Sequence, residues 1–184
     1  MKQHWNLLKS RYMYENRIVK VREDTYHFLP NDIVQDFMAM EFSDWVNIIP
    51  VTPGNEVVMI RQYRHGIQRD TLEIPGGLIS PDDSSPAEGA AREMEEETGY
   101  SSDHIVHIGT VEPNPAIQNN RCHTYLALNA IRVSGQNLDP TEAIRIDLIE
   151  KSKVYEMIKA GIITHSLVIS AFAHLLIYEG KHTT

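Results

Sequence analysis

Arg92-Glu93-Met94-Glu95-Glu96-Glu97-Thr98-Gly99-Tyr100 decides how the rest of this chain is read. On a helix, Glu93, Glu96 and Glu97 stand at i, i+3 and i+4, so three carboxylates crowd one side. Like charges at that spacing cost an isolated helix about 0.2–0.5 kcal/mol per pair. A cation offsets that cost. A hard divalent ion such as Mg²⁺ suits the role, because it takes oxygen ligands from carboxylates and phosphates alike. Taken alone, the run also fits an ordinary solvated acidic face.

The flanking residues predict a helix with sharp ends. Ser85-Pro86-Ala87-Glu88 places an N-cap serine, a proline at the first helical position and a capping-box glutamate in order. Gly99 supplies a left-handed stop. Ala87, Ala90, Ala91, Met94 and Thr98 form a narrow apolar stripe, with Glu93 and Glu97 along one flank and Glu96 further round. The helix is therefore expected to dock on a sheet with one acidic edge beside the core.

Upstream, Leu72-Glu73-Ile74-Pro75-Gly76-Gly77-Leu78-Ile79 reads as an apolar strand end running into a tight glycine turn that a ligand can approach closely. Glycine turn, loop and acidic helix together resemble the Nudix box, the signature of the Nudix hydrolases. Gly77, Arg92, Glu93, Met94, Glu96, Glu97, Gly99 and Tyr100 match it. The loop between Gly77 and Arg92 is one residue longer than the family spacing, and Asp83 stands where the box's first glutamate falls. The resemblance implies Glu93 and Glu97 as main metal ligands, with Glu96 close by and the Gly76 carbonyl as a backbone ligand. Arg92, counted with the catalytic set, would orient a glutamate rather than touch substrate. The implied cofactor is Mg²⁺, with Mn²⁺ as a substitute.

The whole chain is compatible with such an enzyme. Its 184 residues make one domain with at most a small appendage, and 42% apolar residues can build a sizeable core. A formal charge of −8 argues against general binding to nucleic acid or an anionic membrane, although a bound metal would invert the field locally. The single cysteine, Cys122, excludes an internal disulfide and fits a reducing compartment. The first ten residues have no signal-peptide core and no stretch is long and apolar enough to span a membrane, so a cytoplasmic location is expected. The nine histidines lack metal-ligand spacing.

Along the chain, residues 17–29 and 33–42 read as an N-terminal hairpin turning at Pro30-Asn31. Trp45–Val51 and Val57–Ile60 are apolar enough for central strands, joined at Pro53-Gly54. Ile105–Val111, His123–Asn129 and Glu142–Ile149 are further strands. Ser152–Ala160 and Ser166–Tyr178 are amphipathic helices ended by Gly161 and Gly180. The elements predict an α+β fold, and the resemblance implies a Nudix-like α/β/α sandwich with a mixed sheet. The expected division is a strand subdomain at residues 1–42 and a hydrolase domain at residues 43–184.

Features outside the box resemble the branch of the family that hydrolyses ADP-ribose and nucleoside diphosphate sugars. Arg61-Gln62-Tyr63-Arg64 precedes the Glu73-containing strand end, and Pro115 follows the box. Arginines near the metal suit phosphate oxygens, although Arg61 and Arg64 also fit the polar end of a strand. Arg61, Arg64, Glu73, Pro115 and Arg121 are the expected substrate contacts. Asn114-Pro115-Ala116 departs from the branch's Ser-Pro-Gly, and the amide-rich loop ending at Arg121 is either a sugar contact or a solvated turn. Glu142 sits in the context of the branch's general base; the alternative makes it a surface residue and assigns that work to Glu96 or a metal-bound hydroxide. The resemblance also implies a homodimer built through the N-terminal strands, with Tyr26 or Phe28 offered to a base. Other readings are a nucleoside triphosphate or dinucleotide pyrophosphatase of the same fold, and a non-catalytic nucleotide-sugar sensor.

Overall fold

A computed structural model describes residues 4–182. By their internal contacts they form two units, residues 4–43 with 112–121, and residues 44–111 with 122–182.

In the smaller unit, β1 (Trp5–Glu15), β2 (Lys20–Phe28) and β3 (Ile33–Glu41) form an antiparallel sheet in the order β1-β2-β3. The expected hairpin is β2–β3, turning through a short 3₁₀ segment at Leu29–Asn31 with Asp32 at φ 53°. β1 is an addition to that expectation. It breaks register at Leu7/Lys9 and Tyr12/Tyr14, and every residue in it is exposed, so neither alternation nor burial marks it in the sequence. Asn16 turns the chain from β1 into β2 by accepting the N–H groups of Ile18 and Val19, each at 2.8 Å. Segment 112–121 joins this unit through Met40 N–H to the Ile117 carbonyl (2.7 Å) and Phe42 N–H to Asn119 Oδ1 (3.1 Å). Among the described residues, no apolar side chain of this unit is buried.

The larger unit holds β4 (Trp45–Val51), β5 (Glu56–Arg64), β6 (Arg69–Glu73), β7 (Gly76–Leu78), α1 (Pro86–Thr98), β8 (Tyr100–Ser101), β9 (His104–Val111), β10 (Cys122–Leu128), β11 (Ile131–Arg132), β12 (Ile144–Glu150), α2 (Lys151–Lys159) and α3 (Ser166–His182). Seven strands form one sheet in the order β12-β5-β4-β10-β9, with β6 on β5 and β7 on β4. The β4–β10 pair is parallel and the others are antiparallel, so the sheet is mixed as expected.

Strand alternation divides the core into two layers. Val46, Ile48, Tyr125 and Ala127 pack with Ala90 and Met94 of α1. Their neighbours Ile49, Val51 and Leu126 pack instead with Val154 of α2 and Val168, Phe172 and Leu175 of α3. Burial on both faces explains why β4 and β5 read as continuous apolar runs. Two sequence expectations need correction. Gly180 does not end α3, which continues to His182. The two-residue pair β8–β11, too short to carry a periodic signal, was not anticipated. Among the described residues, no helix is long and apolar enough to cross a membrane.

Candidate active site

The acidic helix α1 is built as its sequence dictates, with one local difference. Ser85 Oγ accepts the Glu88 N–H at 3.2 Å, and Gly99 stops the helix at φ 71° while donating to the Glu95 carbonyl at 2.7 Å. Glu88 reaches back not to the cap residue but one position earlier, where it accepts the Ser84 N–H (2.7 Å) and hydroxyl. The buried side chains of Ala90 and Met94 press α1 onto the sheet and leave its acidic flank beside the glycine turn.

That turn needs its glycines. A Cβ on Gly76 would collide with the Val46 carbonyl oxygen, and one on Gly77 would fall 2.5 Å from Glu93 Oε1. The missing side chains let the Glu93 carboxylate lie against β7, and the Gly76 N–H donates to Glu97 Oε2 at 3.0 Å. The Gly76 amide is thereby tied to the carboxylate cluster.

Burial sets the electrostatics. Glu97 is only 3% exposed, and among the described residues no side-chain cation bonds to it. Burial pushes its pKa up to about 8; the Gly76 N–H resists, the charges of Glu93 and Glu142 add to the rise, and Arg64 opposes it weakly. Glu93 is raised too, chiefly by burial, with Arg92 opposing and Glu96 and Glu142 reinforcing.

Arg92 is fully committed. Its Nε donates to Asp83 Oδ1 (2.9 Å), Nη1 to Glu93 Oε1 (3.0 Å) and Glu96 Oε2 (2.8 Å), and Nη2 to Asp83 Oδ2 and the Leu78 carbonyl (both 3.1 Å). Those five bonds use all five guanidinium N–H groups, so none is left for a ligand. Arg92 thus orients two glutamates, and its place in the catalytic set is that of a positioning residue. The structure also gives Asp83 a role that its sequence position alone did not. Its buried carboxylate anchors Arg92, which holds it below the usual carboxylate range against the pull of burial, with help from the Ser80 N–H. Gly89 makes room, since a Cβ there would lie 2.8 Å from Asp83 Oδ2.

The two arginines of β5 part company. Three residues apart on a strand, they point to opposite faces. Arg61 pairs with Asp147 of β12 at 2.6 Å. Arg64 forms a fork with Glu73, Nε to Oε1 at 2.7 Å and Nη2 to Oε2 at 2.6 Å, and lies within electrostatic reach of Glu97 and Glu142. Glu73, 2% exposed, also accepts the Thr71 hydroxyl. Burial would raise its pKa, but Arg64 and Thr71 hold it below the ordinary value. Both Glu73 oxygens are engaged, so it braces Arg64 instead of facing a ligand. His165, which the sequence did not flag, has Nε2 3.8 Å from Glu73 Oε2, and its pKa is lowered mainly by burial.

Glu142 stands just before β12, outside the strand, and its charge is felt by Glu93, Glu97 and Arg64. The structure thereby gathers Arg64, Glu73, Gly76, Arg92, Glu93, Glu96, Glu97 and Glu142 into one unit. Pro115 and Arg121 belong to segment 112–121 of the other unit. Among the described residues, no group of three or more His, Cys, Asp or Glu side chains is placed to hold a metal ion. An open site is nevertheless what Mg²⁺ uses, with one or two protein carboxylates completed by water and phosphate oxygens. An all-oxygen donor set with a buried, uncompensated Glu97 fits such an ion.

A family model of the NUDIX domain matches residues 43–156, well over half of the chain. The chain belongs to the NUDIX domain family and is a Nudix hydrolase. It is 27% identical to a methanol dehydrogenase activator of Bacillus methanolicus over 95% of each chain. It is 26% identical to an ADP-ribose pyrophosphatase of Bacillus subtilis (strain 168), over 70% of this chain and 74% of that one. Its fold matches a crystal structure of an ADP compounds hydrolase with a TM-score of 0.85 at 19% identity, covering 98% of this chain and 97% of the other.

Proposed function

We propose that this hydrolase cleaves the pyrophosphate bond of ADP-ribose or a related nucleoside diphosphate sugar, with Mg²⁺, into a nucleoside monophosphate and a sugar phosphate. The observation that carries the reading is the buried, uncompensated Glu97 beside Glu93 on the glycine turn, with Arg64 braced next to them. The likeness to ADP-ribose pyrophosphatase supports the substrate class.

Glu93 and Glu97 would hold the ion, with Glu96 on the rim. When bound, Mg²⁺ supplies Lewis acidity toward phosphate oxygens and acidifies water. Arg64 spends Nε and Nη2 on Glu73, which aims the guanidinium and leaves Nη1 for a phosphate oxygen. Glu142 is assigned as general base. It takes a proton from the water that attacks one phosphorus as the bridging P–O bond breaks. Arg92 and Asp83 fix the glutamates from behind. Arg61 is dropped because Asp147 and strand alternation turn it to the face opposite Arg64.

The deciding experiment measures nucleoside monophosphate release from ADP-ribose, ADP-glucose, GDP-mannose and a nucleoside triphosphate, with Mg²⁺ or with chelator. Metal-dependent release fastest from ADP-ribose is the expected result. Preference for the triphosphate would favour the alternative pyrophosphatase reading, and binding without turnover would leave a sensor.

We also assign a homodimer, formed through the β1–β3 sheet. Trp5, Phe28 and Phe37 cluster there, with Trp5 centroids 4.4 and 5.5 Å from the other two, and both Trp5 and Phe37 are 40% exposed. A purely monomeric sedimentation profile at micromolar protein would remove the assignment. The buried, lone Cys122 is compatible with the cytoplasm. The near-full-length likeness to an activator favours a second reading, in which the chain raises the turnover of a dehydrogenase. A coupled assay with and without a catalytically dead Glu97→Gln variant separates the two.

A further inference from the structure

The last carbonyls of α1 have no partners within the helix and must find donors elsewhere. Segment 133–137 supplies them. Val133 and Ser134 N–H groups donate to the Gly99 carbonyl (2.8 and 3.1 Å), and the Asn137 N–H donates to the Glu96 carbonyl (2.8 Å). Between these backbone bonds, one side chain does something different. The Gln136 amide Nε2 donates to the carbonyl of Glu97 at 2.7 Å and to the carbonyl of Ile144 at 3.1 Å. Its two N–H groups therefore tie the helical turn that carries Glu97 to the first residue of β12, two positions beyond Glu142.

This link matters because little else at Glu142 is fixed. Glu142 is exposed and sits in a turn, donating its N–H to the Asp139 carbonyl (2.9 Å) while its Oε2 accepts the Asp139 N–H (3.1 Å). Those bonds shape the turn without attaching it to α1. Ile144 is buried, so the start of β12 is a firm point. Gln136 is the side chain that joins that point to the Glu97 backbone.

We propose that Gln136 is a positioning residue that sets the Glu142 carboxylate against the Glu93–Glu97 pair. The proposal rests on the assignment of Glu142 as general base. A general base works only within hydrogen-bond reach of the proton it takes, and displacement by an ångström is enough to cost catalysis heavily. Because Gln136 acts on backbone carbonyls, it would move the base without altering the carboxylates that hold the ion.

The test is a double-mutant cycle on the full chain with ADP-ribose and Mg²⁺, using Gln136→Leu, which keeps the bulk and loses both donors, with Gln136→Ala as a second variant in case the first fails to fold. Glu142→Gln is read first. Wild-type kcat in that variant removes Glu142 as base and overturns the proposal together with that assignment. If Glu142→Gln is slow, Gln136→Leu should lower kcat about tenfold with KM unchanged. In the Glu142→Gln background it should cost less than about twofold, because the two residues act as one unit. Mn²⁺ affinity by titration should match wild type in both backgrounds. Equal losses in both backgrounds, or a parallel loss of Mn²⁺ affinity, would overturn the positioning role and leave Gln136 a helix cap, with Glu142 still standing as base.

Discussion

The two units of this chain hold themselves together by different means. The larger one buries apolar side chains in two layers on either side of its sheet, around Met94 of α1 and Phe172 of α3. The smaller one buries no apolar side chain among the described residues, and its 11-residue first strand is exposed throughout. Its order comes from backbone ladders and from a polar group in which Arg22 binds Asp24 and Glu41, Ser10 donates to Asp24 at 2.6 Å, and Tyr12 donates to Glu41 at 3.0 Å. The contrast teaches that one unit carries its own apolar core, while the other leaves an aromatic face exposed.

The largest expected effect lies in the larger unit. Glu97→Gln should lower kcat by about a thousandfold or more, since it takes charge from the group proposed to hold the metal. The same change should raise the melting temperature of metal-free protein at alkaline pH, because it removes a carboxylate that ionises only against its surroundings. Steady-state kinetics and melting curves on one preparation check both halves. A variant that keeps wild-type kcat would break the view that this unit concentrates the chemistry.

Next in size is Phe172→Ala, a fully buried side chain between α3 and Tyr155. It should cost about 3–5 kcal/mol in denaturant unfolding. Trp5→Ser should cost about 0.5–1.5 kcal/mol in the monomer, through its ring contacts with Phe28 and Phe37, while weakening self-association seen by sedimentation. Equal costs at the two positions would erase the distinction between the units.

A pH effect follows from the pKa of Glu97, about 8 when folded and about 4.3 when unfolded. Between those values the folded chain binds more protons, so metal-free stability is greatest below the window, declines as pH rises through it and levels off above. Glu93 is shifted in the same direction. Saturating Mg²⁺ should displace the proton and flatten the slope, visible as melting temperature against pH with and without the ion. Stability that climbs from pH 5 to 8 without metal would contradict the burial of an uncompensated carboxylate.

A further effect is expected at Asp83→Asn. Arg92 keeps one acceptor oxygen there but loses the charge opposite it, which should cost about 1–3 kcal/mol of stability and a few-fold in kcat through Glu93 and Glu96.

Much of the larger unit was legible because its signals are local. Ser85, Pro86 and Gly99 mark the ends of α1 by backbone chemistry alone, and the spacing of Glu93, Glu96 and Glu97 follows from helical geometry. β1 was not legible, since a strand with no buried face leaves no alternation to read. Gly180 misled because a glycine is tolerated inside a helix that packing already holds.

The sequence by itself determined the chain's class, since caps, glycine turn and carboxylate spacing all act within a few residues. Tertiary structure alone decided which groups are used up and which stay available. Asp83 and two glutamates saturate Arg92, Glu73 captures Arg64, Asp147 holds Arg61 on the far face, and Gln136 ties Glu97 to the strand after Glu142. These partners lie up to 86 residues apart. Their pairing depends on which strands lie side by side and how deeply each carboxylate is buried, and neither quantity exists until the chain is folded.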